Sequence, residues 1–505
     1  MSSNFLNTWE MKILERNSEY LGVSREILME NAGKEVAKAL ESKFGQNIKV
    51  AVVSGLGNNG GDGLVAARYL TRSNEVSVIL LGSEVQIKTA LAKKAWNRLK
   101  NLRHTVTIFQ AKSESTLTEL ENVIRDAAVI VDAIFGTGIK GKIRGLPRKA
   151  IEIINKSGRQ VVAVDVPSGL NPDTGEVHGI AVKASLTVTF HAAKPGLVKP
   201  EAKEYVGELV VADIGIPREA ELIAGPGDVL ATLKERKPWS KKGDFGKMLV
   251  IGSSNLYTGA PALSALAALR TGADIVVVAA PESAAPTIRS FSPNLIVWSL
   301  PGETLREEHI EKILGWSIKF DVIVIGPGLG RSEETLETAG NLLEKLEKPL
   351  VVDADALHAL PLRKNALKEK PSIITPHAGE LTALLGEKVP IDLETRIALA
   401  KKAAKIYGTV VLLKGHEDVI TDGVKHKVNA TGNPGMTVGG TGDVLTGIAA
   451  TLLAHSGNPL YAASSAAFIN GLAGDLVFKE KGFHITAYDV VEKIPEAFKE
   501  IEKYR

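Results

Sequence analysis

The residues whose types and spacing could do chemistry sit in four glycine-rich stretches. Asp443 lies in NPGMTVGGTGDVLTG, 433–447. Gly439, Gly440 and Gly442 leave that backbone free to bend and set no Cβ in the way of an anion. Val444, Leu445, Ile448, Ala449, Leu452 and Leu453 follow at helical spacing. Thr441 to Asp443 therefore fall at a helix N-terminus, where unpaired N–H groups and the helix dipole favour negative charge. A phosphate suits such a pocket, and an aspartate beside it can take the proton of an attacking hydroxyl. The plainer reading, that Asp443 only complements the dipole, leaves three helix-weakening glycines without a purpose. The loop is not a Walker A, because GxxxxGK[ST] does not occur in it.

The other three stretches are SGLGNNGGDG (54–63), VDAIFGTGIKG (131–141) and VVAVDVPSGLN (161–171). They offer Asn58, Asn59 and Asp62, then Asp132 and Lys140, then Asp165 and Ser168. Asn59, Asp132 and Ser168 are hard oxygen donors, suited to a cation that needs neither cysteine nor histidine. Singly, Asp132 and Asp165 read equally well as turn or cap residues. Three polar glycine loops ending parallel strands converge on one rim, and a ligand site explains that better.

These loops need elements to hold them. Ser24 can cap a helix running to about Phe44, with Gly45 as its stop. Lys49 to Val53 reads as a strand, followed by the glycine loop and a helical run from Leu64: the first unit of a Rossmann-like sheet. Further strands are expected at 76–81, 128–131, 161–164, 184–190 and 208–211. The alternation of strand and helix predicts an α/β fold with a largely parallel sheet. Residues 217–238 are rich in proline, glycine and charge, and a domain junction is expected at about 213–219. A second α/β series then opens, with strands at 248–251, 274–279, 322–325, 350–352, 373–374 and 410–413 and three closing helices. GPGLG (326–330) and VVDADAL (351–357) fall at strand C-terminal ends, where open α/β sheets bind ligands. His377 follows a strand end and should lie at the rim. Lys414 ends an apolar strand, where its charge should emerge into solvent. Asp353 and Asp355 could cap the next helix or assist a metal, and neither is assigned to the site.

Composition excludes several classes. The chain has 505 residues, 44% hydrophobic and 24% charged, with a formal net charge of +3. That suits two or three globular domains and gives no reason to invoke nucleic acid. The absence of cysteine removes disulfides, thiolate nucleophiles and cysteine-held metals. The ten histidines show no zinc spacing. The N-terminus has no apolar signal segment, and no run approaches the ~20 apolar residues that span a bilayer. The expectation is a soluble, cytoplasmic protein. Gly55, Gly57 and Gly60 form GxGxxG, but a dinucleotide dehydrogenase also wants an acidic residue ending the second strand. Glu84, the nearest, lies beyond it.

Taken together, LMENAG (28–33), GNNGGDG (57–63), DAIFGTG (132–138) and DVPSGLN (165–171) resemble the NAD(P)H-hydrate epimerase domain. The C-terminal half resembles its fusion partner, the ADP- or ATP-dependent NAD(P)H-hydrate dehydratase of the ribokinase-like fold. It does so through YTGAP (257–261), GPGLG, TPHAGE (375–380), LKGHED (413–418) and the GTGD loop. The resemblance covers nearly the whole chain and implies an epimerase domain at 1–216 and a dehydratase domain at 217–505.

In the first domain the resemblance implies potassium at Asn59, Asp132 and Ser168. It implies hydrate binding by Asn58, Asn59, Gly60, Gly61 and Asp62, and by Gly136, Thr137, Gly138, Ile139, Lys140 and Gly141. Asp165, also a substrate contact, and Lys140 would serve proton transfer, although many relatives carry arginine where Lys140 stands. In the second domain Ala260, Gly328, His377 and Asp443 would contact the hydrate, with Asp443 catalytic. Lys414, Gly415, His416, Glu417, Asp418 and Gly442 would contact the nucleotide, with Mg2+ as its companion. Thr437-Val438 replaces a common Ala-Thr ahead of the glycines.

The implied activity is an isomerase and a lyase in one chain, acting on hydrated NADH and NADPH, with a homo-oligomer expected. The first domain interconverts the R and S hydrates. The second phosphorylates the S hydrate's hydroxyl, with ADP favoured over ATP, and eliminates phosphate. The rival is a ribokinase-like vitamin kinase with an accessory domain. It accounts for GTGD but not for GNNGGDG or DVPSGLN.

Overall fold

The computed structural model describes residues 5–138 and 141–505. They form two compact units, 1–217 and 218–505. The first carries a seven-stranded sheet of β1 (Lys49–Ser54), β2 (Glu75–Leu81), β3 (Val106–Ala111), β4 (Val129–Ala133), β5 (Gln160–Val164), β6 (Leu186–Phe190) and β7 (Glu208–Ala212). Its order is β3-β2-β1-β4-β5-β6-β7, every pair parallel. The order reverses between β1 and β4, so the loops after those two strands part and leave a crevice, the usual ligand position in such sheets.

The helix Arg25–Phe44 starts where Ser24 Oγ accepts the Ile27 amide and stops at Gly45, φ 85°. The sheet adds β3 to the strands expected from sequence. β3 is an edge strand of mixed burial, so its apolar signal is diluted. Glu84 accepts from Trp96 Nε1 at 2.8 Å and from Lys100 Nζ at 2.6 Å, bonds that tie it to a helix and not to a cofactor ribose.

The second unit holds nine strands: β8 (Lys247–Ile251), β9 (Ile275–Pro281), β10 (Ile296–Leu300), β11 (Val322–Ile325), β12 (Leu350–Val352), β13 (Ser372–Ile374), β14 (Val410–Leu413), β15 (Asp418–Thr421) and β16 (His426–Asn429). Their order is β10-β9-β8-β11-β12-β13-β14-β15-β16. All pairs are parallel up to β14, and the last two are antiparallel. Alternate residues of the central strands feed two cores. Val250, Val278 and Val324 pack under the helices Gly259–Thr271, Thr441–Ser456 and Pro459–Lys481, while Leu249, Ile251, Ile323 and Ile325 pack under Glu333–Lys345 and Leu393–Tyr407. Burial on both faces is why these strands read as unbroken apolar runs. Here the switch point lies between β8 and β11, which sets the YTGAP and GPGLG loops side by side. β10, β15 and β16 were not expected from the sequence. No helix among the described residues is long and apolar enough to cross a membrane.

Candidate active sites

In the first unit the strand-end loops surround a cavity of about 700 Å3. Asn58, Asn59 and Asp62 line it from the first turn of Asn58–Leu70, with Gly136, Thr137, Gly138, Gly141 and Asp165. Gly60 and Gly61 stand behind that wall. A Cβ on Gly60 would meet the Gly55 carbonyl oxygen at 2.1 Å, so backbone packing fixes that glycine, while one on Gly61 would press on the Met29 side chain at 2.7 Å. Ile139 and Lys140 lie outside the described residues.

Asp132, fully buried at the end of β4, receives the Ser168 amide at 2.7 Å and the Ser168 hydroxyl at 2.6 Å. Ser168 Oγ in turn accepts the Phe135 amide at 2.8 Å. Burial pushes the Asp132 carboxyl up to about 6, against the hydrogen bonds from Ser168 and Ile134. Among the described residues no cation pairs with it. Asn59 stands against Gly136, and its buried Nδ2 has no partner among the described residues. A buried carboxylate without a countercharge among the described residues, a hydroxyl and a carboxamide, whose oxygen is the atom able to ligate, together suit a monovalent cation.

Asp165 has a left-handed backbone, φ 63°, uncommon outside glycine. Its Oδ1 accepts from Lys194 Nζ at 2.7 Å, Thr189 Oγ1 at 3.1 Å and the Phe190 amide at 3.2 Å. Lys194 is only 1% exposed, its ammonium also bonded to Thr189 Oγ1 and the Phe190 carbonyl. Glu15 and Asp62 share the cavity with Asp165. Burial first, then the Asp165 charge, raises both carboxyls, Asp62 well above the usual range. Glu15 and Lys194 were not singled out from sequence. Each sits among ordinary charged residues on its own element, and only the fold turns them inward.

In the second unit Gly440, φ 99°, opens the helix Thr441–Ser456 with no side-chain cap. The Thr441 hydroxyl instead bonds back to Met436 O and Val438 O, which leaves the first amides uncapped by side chains. A Cβ on Gly447 would meet Ser264 O at 2.1 Å, so this helix lies directly against Gly259–Thr271. The Asp443 carboxylate accepts no hydrogen bond from a described residue. Burial, then the neighbouring Asp353 charge, pushes it up to about 7, with Lys414 opposing.

Beneath it Asp353, 2% exposed, receives Thr375 Oγ1 at 2.7 Å, Thr446 Oγ1 at 2.7 Å and Lys414 Nζ at 3.0 Å. Burial pushes the Asp353 carboxyl up, but Lys414 and the two hydroxyls outweigh it, and it stays below the usual range. Lys414 thus departs from the sequence expectation. Its side chain turns in to Asp353 and is only 21% exposed. Asp353, set aside on sequence, joins four elements.

Of the residues expected around the nucleotide, Lys414 stands next to Gly442, where a Cβ would lie 3.3 Å from its ammonium. Gly415, His416 and Glu417 form the short turn from β14 to β15. Arg396 braces that turn through Lys414 O and Glu417 O. Asp418 looks back into the turn, receiving the Gly415 amide and Asn429 Nδ2, and burial raises it to about 6. Ala260 and Gly328 meet across the switch point, a Cβ on Gly328 falling 3.5 Å from Ala260 Cβ. His377 caps the helix Ala378–Leu385, its Nδ1 accepting from Gly379 and Glu380. A bridge to Lys414 ties it to the same rim.

Residues 248–496 match the family model for NAD(P)H-hydrate dehydratase, and residues 25–196 that for the YjeF-related protein N-terminus. The bifunctional NAD(P)H-hydrate repair enzyme Nnr of Pyrobaculum aerophilum is 49% identical over 489 residues, covering 96% of each chain. The chain belongs to this family of bifunctional NAD(P)H-hydrate repair enzymes. Its first unit is of the epimerase type and its second of the dehydratase type. The family member of Methanothermobacter thermautotrophicus is 45% identical over 96% of this chain and 94% of its own. A solved ADP/ATP-dependent NAD(P)H-hydrate dehydratase from Bacillus subtilis, crystallised with ATP and Mg2+, is 29% identical. It covers 55% of this chain and 98% of its own, with a TM-score of 0.48.

Proposed function

We propose that the first unit interconverts the R and S hydrates of NADH and NADPH, and that the second returns the S hydrate to the reduced cofactor at the expense of ADP. The observation that carries the second half is Asp443. Its carboxylate has no partner among the described residues, and it stands on the first turn of an uncapped helix beside Lys414. It takes the proton of the hydrate's hydroxyl as the oxygen attacks the phosphoryl group. The amides of 440–442 and the Lys414 ammonium stabilise the charge that develops there. The hydroxyl, now a phosphate ester, is the better leaving group, and departure of phosphate with loss of a proton from the neighbouring ring carbon restores the ring double bond.

Asn59, Asp132 and Ser168 would hold potassium, which supplies the countercharge that buried Asp132 lacks. Magnesium would screen the nucleotide's phosphates. Both Asp353 oxygens are already engaged, and no cluster of three or more acidic or histidine ligands occurs among the described residues. That suits an ion held mainly by phosphates and water.

The test incubates hydrated NADH with the protein, with ADP, with ATP or with neither, and follows the return of NADH absorbance. Recovery is expected with ADP, complete for the R and S mixture in potassium. No recovery with either nucleotide removes the dehydratase reading.

A further inference from the structure

The helix Thr8–Tyr20 forms one wall of the first cavity. Thr8, Met11, Lys12 and Glu15 face it at the spacing of a single helical face. This helix precedes residues 25–196, the part that the family model matches. Its Glu15 carboxylate accepts no hydrogen bond and makes no ion pair among the described residues, so no structural bond needs it. Asp165 is the opposite case: Lys194, Thr189 and the Phe190 amide all converge on its Oδ1. The cavity therefore holds one carboxylate anchored by a buried ammonium and two, Glu15 and Asp62, that no described residue engages; of these two, Glu15 stands on the helical wall with Lys12 and Met11.

We propose that Glu15 is a catalytic acid of this cavity, giving the proton that lets the hydrate's ring hydroxyl leave as water, while anchored Asp165 takes a proton when water returns. The inference rests on the epimerase reading of the cavity. Water adds to a dihydronicotinamide so that the hydroxyl lands on the carbon bonded to the ring nitrogen, because protonation of the enamine leaves the cation there. The hydrate is thus a carbinolamine. Glu15 protonates the hydroxyl, the C–O bond breaks, and the nitrogen lone pair forms a planar C=N+ bond. A water adds to the other face, its oxygen making the new C–O bond and its proton passing to Asp165. No electrons are exchanged with the ring. One proton moves from Glu15 to Asp165, and exchange with solvent resets the pair. The carboxylates that surround the cation also lower its energy.

The charged groups that act on Glu15 are Asp165, Lys194, Arg25 and Lys12, with Asp62 sharing the cavity. Burial first and then Asp165 raise the Glu15 carboxyl above its usual range, and the three cations oppose them.

The experiment uses the full chain and follows R-to-S exchange by chromatography, corrected for the uncatalysed rate. Glu15→Gln is expected to lower kcat by about 10²-fold or more with little change in KM. The fall in the parent's rate as pH rises and Glu15 loses its proton should vanish from what remains. Glu15→Asp should recover part of the activity. Turnover of pure S hydrate with ADP should match the parent in both variants, and neither should melt lower than the parent, the Gln variant gaining stability at neutral pH because burial raises the Glu15 carboxyl. A parent with exchange and a Gln variant within about three-fold of it overturns the inference alone. So does a loss confined to KM, or an alkaline limb that persists. A parent without exchange overturns the epimerase reading as well.

Discussion

Asp443→Asn separates what the carboxylate does for catalysis from what it costs the fold. In the folded chain the carboxyl is raised from 3.8 to about 7, first by burial and then by Asp353. At about 1.4 kcal/mol per pKa unit, ionising it in place costs up to ~4 kcal/mol. Partial solvent access trims this to ~2–4 kcal/mol. The folded form holds its proton more tightly than the unfolded one, so the penalty starts as pH rises through about 4. It grows until about 7 and is constant above that. Asparagine keeps the shape and cannot ionise. At pH 8.5 the variant should therefore melt higher by roughly 3–7 °C, and by clearly less at pH 5. Dehydration should fall by at least about 10²-fold at saturating ADP, while R-to-S exchange continues. In the parent, kcat/KM for dehydration should rise with pH through about 7, the value carried by the free protein. A variant within a few-fold of parental turnover, or one with no stability gain at pH 8.5, would refute the argument that a strained buried carboxylate is the base.

Potassium should raise the first unit's thermal midpoint at pH 8 and much less at pH 5. Asp132 reaches about 6 in the fold, so its charge needs a partner only above that value. Calorimetry in potassium and sodium checks this, and Asp132→Asn should abolish both the response and the potassium dependence of exchange. Lys414→Met should raise the KM for ADP and also lower stability, because Asp353 is left buried without its cation. Isothermal titration and chemical denaturation read the two effects. Gly447→Ala places a methyl 2.1 Å from Ser264 O, and the overpacking should cost about 1–3 kcal/mol, seen as a lower denaturation midpoint with the first unit unaffected.

The parallel strands and glycine loops were legible because strands buried on both faces write continuous apolar runs, and because positive-φ and close-approach positions demand glycine. The missed strands had weaker signals. β3, β10 and β16 are sheet edges with mixed burial, and in β15 only Val419 and Ile420 stand between polar Asp418 and Thr421. Asp443, Asp132 and Ser168 stood out because they lie inside the loops they serve. Glu15 did not, since a glutamate in a polar helix has the pattern of a solvated face. Asp353 was ambiguous for a different reason. Its partners Thr375, Lys414 and Thr446 are far away in the chain, and only the sheet order brings them to one oxygen pair. The same distance hid the inward turn of Lys414.

Asp353 has a consequence for how such a protein can change. One carboxylate serves as the common hinge-pin for the ends of three neighbouring strands and for the helix that bears Asp443. The segments around the nucleotide are therefore not independent modules. Grafting a foreign 414–418 turn to alter nucleotide preference, or moving the GTGD helix to admit a bulkier substrate, loosens the shared pin and disturbs the other segments. Replacements on the outer faces of these loops leave the pin intact, so single substitutions there should change specificity at less cost to stability than exchange of whole segments.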